Sequence, residues 1–356
     1  MLSALAAAIC CATLSQAEPA DVAGRYRDHR QLTTYIDDAG QVYPIKTCED
    51  WAERRKHILA GMQAAMGELP SREHLPPLDV QVIETVPGKG FTRLRISFVA
   101  EQGDRVPAHL FLPEAAKTKP APAMLALHQT TAIGKDEPAW LGGLPNLHYG
   151  LELAERGYVV LAPDYPSFGD YKYDFKASPY ASGTMKGIFN HMRAVDLLQS
   201  RSEVDPERIG VIGHSLGGHN AMFVAAFDER LKVVVSSCGW TPFHDYYEGK
   251  IAGWTSDRYM PRLRDVYKLD PDRVPFDFYE VVASFAPRGF FSNSPIGDNN
   301  FAVEGVKKGV AAALPIYQLY GHPERLQVCY PDSGHDFPPE VREEAYRFVD
   351  EMFKPD

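Results

Sequence analysis

The sequence predicts an α/β protein built on a mostly parallel central sheet flanked by helices. Short apolar runs such as AMLALH, YVVLAPDY, RIGVIGHS and LKVVVSSCG alternate with stretches of helical periodicity from residue 121 onward. Strands that alternate with helices imply right-handed crossovers, which place helices on both faces of a parallel sheet. The runs are continuously apolar rather than alternating, as expected of strands covered on both sides. A chain of 356 residues of ordinary composition can bury a core of that size.

Along the chain, residues 1–17 (MLSALAAAICCATLSQA) are uncharged, apolar from Leu2 to Leu14, and end in small residues before Glu18. They read as a secretory signal peptide cleaved after Ala17, with an atypical n-region because no Lys or Arg precedes the apolar run. Secretion or export to the periplasm is therefore expected. The run is too short to span a membrane, and no later stretch is long enough.

Residues 18–74 form an N-terminal arm and one amphipathic helix. Thr47 stands three residues before Asp50 as a capping box, and Trp51, Ile58, Met62 and Met66 share a helical face. Residues 75–356 form the main domain. It opens with DVQVIETV, FTRLRISFVA and RVPAHLFLP, separated by the turn signals PGKG and EQGD, an antiparallel meander that extends one edge of the sheet. Helices follow near 184–200, from Leu216, near 303–319 and at the C-terminal end. An aromatic-rich insertion occupies about 240–280.

Net charge is −10 with no Lys/Arg block, so nucleic acid is not an expected partner. After residue 17, Cys48, Cys238 and Cys329 remain, an odd number without C-x-x-C spacing. One pair or three reduced thiols both fit. No pair of ligand-type residues has metal spacing in a plausible context, so neither a metal nor another cofactor is expected.

GHSLG, residues 213–217, matches a pattern that arises by chance in about one in ten chains this long. Its place between a buried strand and a helix makes Ser215 the candidate nucleophile. The serine of such an elbow sits in a strained turn, with small residues two positions either side. A serine needs a base, and the base needs an orienting acid. His335, in the loop after the last strand, is the expected base, ahead of His214, His219 and His322. Asp298, beyond the penultimate strand, is the expected acid, with Asp332 and Glu304 as rivals.

The amide of Leu216, at a helix N-terminus, and that of Gln129, after AMLALH, are the expected oxyanion donors, with Thr130 second to Gln129. Trp240, Tyr246, Tyr247 and Trp254 in the insertion are candidate substrate-binding residues or a satellite core. Asp164 and Asp170 read as structural.

The ordered set HQT, GHSLGG, GDNNF and GHDFP resembles the α/β-hydrolase superfamily over roughly residues 75–355. Within it the chain looks like the exported acetyl-xylan-esterase-like and dienelactone-hydrolase-like group, with a weaker likeness to prolyl-oligopeptidase-type peptidases. The insertion would then follow strand 6 of that fold. The resemblance implies a serine hydrolase acting on a carboxylic ester, with Ser215, Asp298 and His335 matching the family triad. A small-molecule or carbohydrate ester, such as an acetyl ester, is the implied substrate; a peptidase is the alternative, though the chain leaves no room for a large N-terminal propeller. The sequence leaves the oligomeric state open.

Overall fold

A computed structural model of the chain describes residues 25–354, so the expected leader lies outside the described residues. A small hairpin, β1 (Thr34–Ile36) and β2 (Val42–Pro44), precedes helix α1 (Cys48–Met66). α1 starts where the capping box predicts: the Asp50 amide donates to Thr47 Oγ1 and the Thr47 amide to the Asp50 carboxylate. Its buried face carries Trp51, Arg54, Ile58, Met62 and Met66.

Nine strands then form one sheet: β3 (Gln81–Pro87), β4 (Phe91–Glu101), β5 (Asp104–Pro113), β6 (Ala121–Leu127), β7 (Val159–Pro163), β8 (Val204–His214), β9 (Leu231–Ser237), β10 (Gly289–Asn293) and β11 (Leu326–Cys329). Their spatial order is β3-β4-β5-β7-β6-β8-β9-β10-β11. β3, β4 and β5 form the antiparallel meander, which joins the sheet through the antiparallel β5–β7 pair. All six strands from β7 to β11 in that order are parallel. The positive φ of Gly103 (79°) makes the tight β4–β5 turn possible.

Helices α2 (Tyr149–Glu155), α3 (Gly183–Gln199), α4 (Leu216–Phe227), α5 (Arg262–Asp265), α6 (Phe278–Ala283), α7 (Val303–Leu319) and α8 (Pro339–Met352) complete the chain. Two apolar cores lie on opposite sides of the sheet. One packs α1, α3, α4, α6 and α7 against residues such as Leu125, Val211 and Val234, the other α2 and α8 against Met124, Ile212 and Val235. Neighbouring residues of one strand thus enter different cores, which is why these strands read as unbroken apolar runs. This is the α/β-hydrolase fold.

The chain leaves β6 toward β7 on one side and later enters β8 on the other. That reversal is a topological switch point, and the carboxyl ends of β6 and β8 beside it are where ligands meet open α/β sheets.

Candidate active site

Ser215 follows β8 directly at φ 53°, ψ −114°, and α4 begins with the next residue. A non-glycine residue in this region costs about 1–3 kcal/mol and persists only where its surroundings dictate it. They do so here. A Cβ on Gly213 would lie 2.2 Å from the Gly217 carbonyl oxygen, and one on Gly217 only 2.0 Å from that of Leu127. The first turn of α4 is thus pressed against the end of β6, and the Ser215 amide donates to the Ser237 carbonyl of β9 (2.8 Å).

His335 and Asp298 meet across two loops. Both carboxylate oxygens of Asp298 lie 3.0 Å from His335 Nδ1, and Oδ1 also accepts the amides of Asn300 (2.8 Å) and Phe301 (3.2 Å). Burial alone would raise the pKa of Asp298, but the His335 bond and the two amides hold it below the usual carboxylate range. The ring of His335 is partly exposed, stands edge-on 4.9 Å from that of His214, and stacks 6.0 Å from Phe301. The rivals lie elsewhere: Asp332 is exposed, and Glu304 pairs with Lys307 on α7.

The loop of His335 is fixed through its neighbour Asp336. The Asp336 carbonyl accepts Asn293 Nδ2 (2.8 Å) and the Cys238 thiol (3.3 Å), while its carboxylate accepts Asn146 Nδ2 (2.7 Å). Asn293 also donates to Ser237 Oγ, which lies 2.9 Å from His214 Nδ1. Burial pushes His214 and His219 down to about 3, so both rings stay neutral.

After β6, His128 holds the loop that carries Gln129. Its Nε2 accepts the Tyr165 amide (2.9 Å), which leaves Nδ1 as the proton-bearing nitrogen, 2.6 Å from the Gln129 carbonyl. Burial keeps this histidine neutral, with a pKa lowered to about 4. Asp164 locks the same loop to the one after β7. It accepts the Lys135 amide (2.8 Å), Lys135 Nζ (2.9 Å) and the Asp170 amide (2.9 Å), and Asp170 also pairs with Lys135. Glycines 134 and 169, both at positive φ, leave room for that carboxylate, because a Cβ on either would sit 2.1 Å from Oδ1. His128 and Asp164 thus position the Gln129 loop. The sequence marks Asp164 as structural but gives His128 no role; the only hint for it is a polar residue directly ending an apolar strand.

The insertion divides the four aromatic candidates. Trp240 is a correction: it is 1% exposed, donates from Nε1 to Ser292 Oγ (2.9 Å) and packs on Phe278 and Phe290, so it is core and not pocket wall. Trp254 and Tyr246 are largely buried but pack on Phe301, the ring that stacks on His335. Tyr247 is half exposed and donates to Asn300 Oδ1 (3.2 Å), two residues from Asp298. Thr130 is exposed, with its Oγ1 3.1 Å from the Tyr259 hydroxyl.

Cys48, Cys238 and Cys329 are all free thiols. Cys238 Sγ, a carboxylate oxygen of Asp298 and a ring nitrogen of His335 lie within 4.8 Å of one another. Burial raises the thiol pKa well above its ordinary value, and the His335 nitrogen beside Asp298 is already hydrogen-bonded to it.

No helix among the described residues is long and apolar enough to cross a membrane. Residues 148–355 match the prolyl oligopeptidase family. A Bacillus subtilis protein named as a hydrolase, YtaP, is 28% identical over 311 residues, covering 84% of this chain and 98% of that protein. The carbohydrate esterase MZ0003, from an unknown prokaryotic organism, is 22% identical over 78% of this chain and 76% of its own length. Among solved structures, a glucuronoyl esterase from Solibacter usitatus superposes with a TM-score of 0.69 at 20% identity, covering 92% of this chain and 98% of that one.

Proposed function

The chain belongs to the prolyl oligopeptidase family, and from that premise we propose that it is a serine hydrolase that cleaves carboxylic esters through Ser215, His335 and Asp298. One observation carries the reading. The Asp298 carboxylate holds Nδ1 of His335, and the His335 ring lies against His214, the residue before the strained Ser215.

With Nδ1 committed to Asp298, Nε2 of His335 is the nitrogen free to take the Ser215 proton. The serine oxygen then attacks the ester carbonyl, and the amides of Leu216 and Gln129 receive the developing oxyanion. His335 returns the proton to the departing alkoxide, leaving an acyl-serine. Water, deprotonated by the same imidazole, releases the acid and restores Ser215. The Asp298 carboxylate stabilises the imidazolium in both halves without taking its proton.

Carbohydrate esters, including acetyl esters, are the proposed substrate class. The esterase names of MZ0003 and the Solibacter protein support it, as does the half-exposed ring of Tyr247, which Tyr246, Trp254 and Phe301 back from the buried side next to His335. The family name favours a second reading, peptide hydrolysis. A panel of short acyl esters and acetylated xylan run beside aminoacyl-proline amides separates the two. Ester turnover abolished by Ser215→Ala is expected; amide cleavage exceeding ester cleavage would select the second reading.

A further inference from the structure

We propose that Arg258 forms an anion-binding subsite on the acyl side of the Ser215 site, so that preferred substrates carry a carboxylate on the acyl group. The proposal rests on the ester-hydrolase reading above and extends it to substrate charge.

Leu216, next to Ser215, packs with Tyr165, Phe168 and Tyr259. This wall joins the loop after β7 to the insertion. His335, which hands its proton to the alcohol, is flanked by Phe301, itself packed on Tyr246 and Trp254. The leaving group belongs on that side, so the acyl group lies toward the Leu216 wall.

Arg258 crowns the Leu216 wall. Its guanidinium carbon lies 4.6 Å from the centroid of the Phe168 ring, and its Nε donates to Ser167 Oγ (2.7 Å). Ser167 adopts φ 71°, a strained conformation for a serine, as it presents that hydroxyl. The backbone beneath is also fixed. The Tyr165 hydroxyl donates to the Arg258 carbonyl (2.5 Å), and the Gly183 and Thr184 amides at the start of α3 donate to the carbonyls of Asp257 and Tyr259. A Cβ on Gly183 would sit 2.4 Å from the Arg258 carbonyl oxygen, so glycine is what lets the two segments meet.

These contacts occupy Nε and one face of the guanidinium, and the two terminal amino groups keep their donors. Among the described residues no carboxylate lies within ion-pair distance of Arg258, whereas the neighbouring Arg264 pairs with Asp265. An exposed arginine normally gives up rotamer entropy when it grips a ligand. Here stacking and the Ser167 bond have already fixed the plane, which suits a bidentate carboxylate. In a chain of net charge −10, a cation fixed on the wall that Leu216 shares with Phe168 separates charged from neutral acyl groups.

The test compares p-nitrophenyl butyrate with the mono-p-nitrophenyl ester of glutaric acid, whose acyl chain ends in a carboxylate. The wild type is expected to favour the glutaryl ester, and Arg258→Met to lower the glutaryl-to-butyryl ratio of kcat/KM about ten-fold, mostly through KM. Arg258→Lys should keep part of the ratio. The same ratio in wild type and Arg258→Met, or a wild type that prefers butyrate, would overturn the subsite. Hydrolysis of neither ester would count against the ester-hydrolase reading instead. The subsite is then read by NMR titration of N-propylglutaramate against N-propylbutyramide in Ser215→Ala. Selective binding of the anion, lost in Ser215→Ala/Arg258→Met, supports it; equal binding refutes it.

Discussion

Asp298 serves three donors at once, the ring of His335 and two backbone amides of its own loop. Asparagine there would keep the shape but offer an amide to Nδ1, favouring the wrong tautomer. Asp298→Asn should therefore lower kcat about 10³- to 10⁴-fold with little change in the thermal midpoint, which steady-state kinetics and a melting curve read together. Because its folded pKa is depressed, the stabilisation from Asp298 is complete above the unfolded value and is lost as pH falls through the folded one. Ser215, Asp298 and His335 are the residues sequence points to because Ser215 directly follows a strand, the other two lie in the loops after the last two strands, and their order is constrained; the structure brings Asp298 and His335 together. Trp240 could not be placed. With no clean period of 2 or 3.6 in the insertion, nothing in the sequence says that its indole turns inward to Ser292.

The β8–Ser215–α4 turn depends on backbone approaches that no larger residue allows. Gly217→Ala would put a methyl group into the Leu127 carbonyl, and relief requires α4 to retreat from β6. A loss of about 1–3 kcal/mol in urea unfolding is expected, with a fall in kcat because Leu216 moves away from Gln129. Asp164 is the second element-level joint. Asp164→Ala leaves Lys135 buried with only the more exposed Asp170 and Asp136 as partners, and should destabilise the fold by about 3 kcal/mol in the same assay. The parallel strands, the meander and the long helices were legible because their periodicity and turn residues agree with the final packing. The β1–β2 hairpin was missed because residues 18–46 are polar, and its second strand is wholly exposed. It buries too little apolar surface to leave a pattern.

At the scale of the whole molecule, the N-terminal arm is tied to the insertion by a buried charge cluster. His29 Nδ1 lies 2.9 Å from Glu280 on α6, its Nε2 is 3.0 Å from the Val274 carbonyl, and Arg54 of α1 pairs with the same Glu280. Two acceptors require both ring protons. Burial alone would lower the pKa of His29, but Glu280 outweighs it and raises the value to about 9. A raised histidine contributes its full stabilisation below about 6.5 and loses it as pH rises through 9. The stabilisation is of order 3 kcal/mol, so the thermal midpoint should fall between those pH values, and His29→Gln should flatten that slope. Sequence reading left the arm merely polar, since its partners lie more than 240 residues away. The leader reading predicts a mature chain starting at Glu18, which intact-mass analysis of exported protein checks. The central claim, that Ser215 is an activated nucleophile, is tested most directly by a fluorophosphonate probe followed by peptide mass spectrometry. The fold and the Asp298–His335 pair predict one stoichiometric adduct on Ser215, absent in Ser215→Ala and strongly slowed in His335→Ala; an unlabelled Ser215 in folded protein would contradict it.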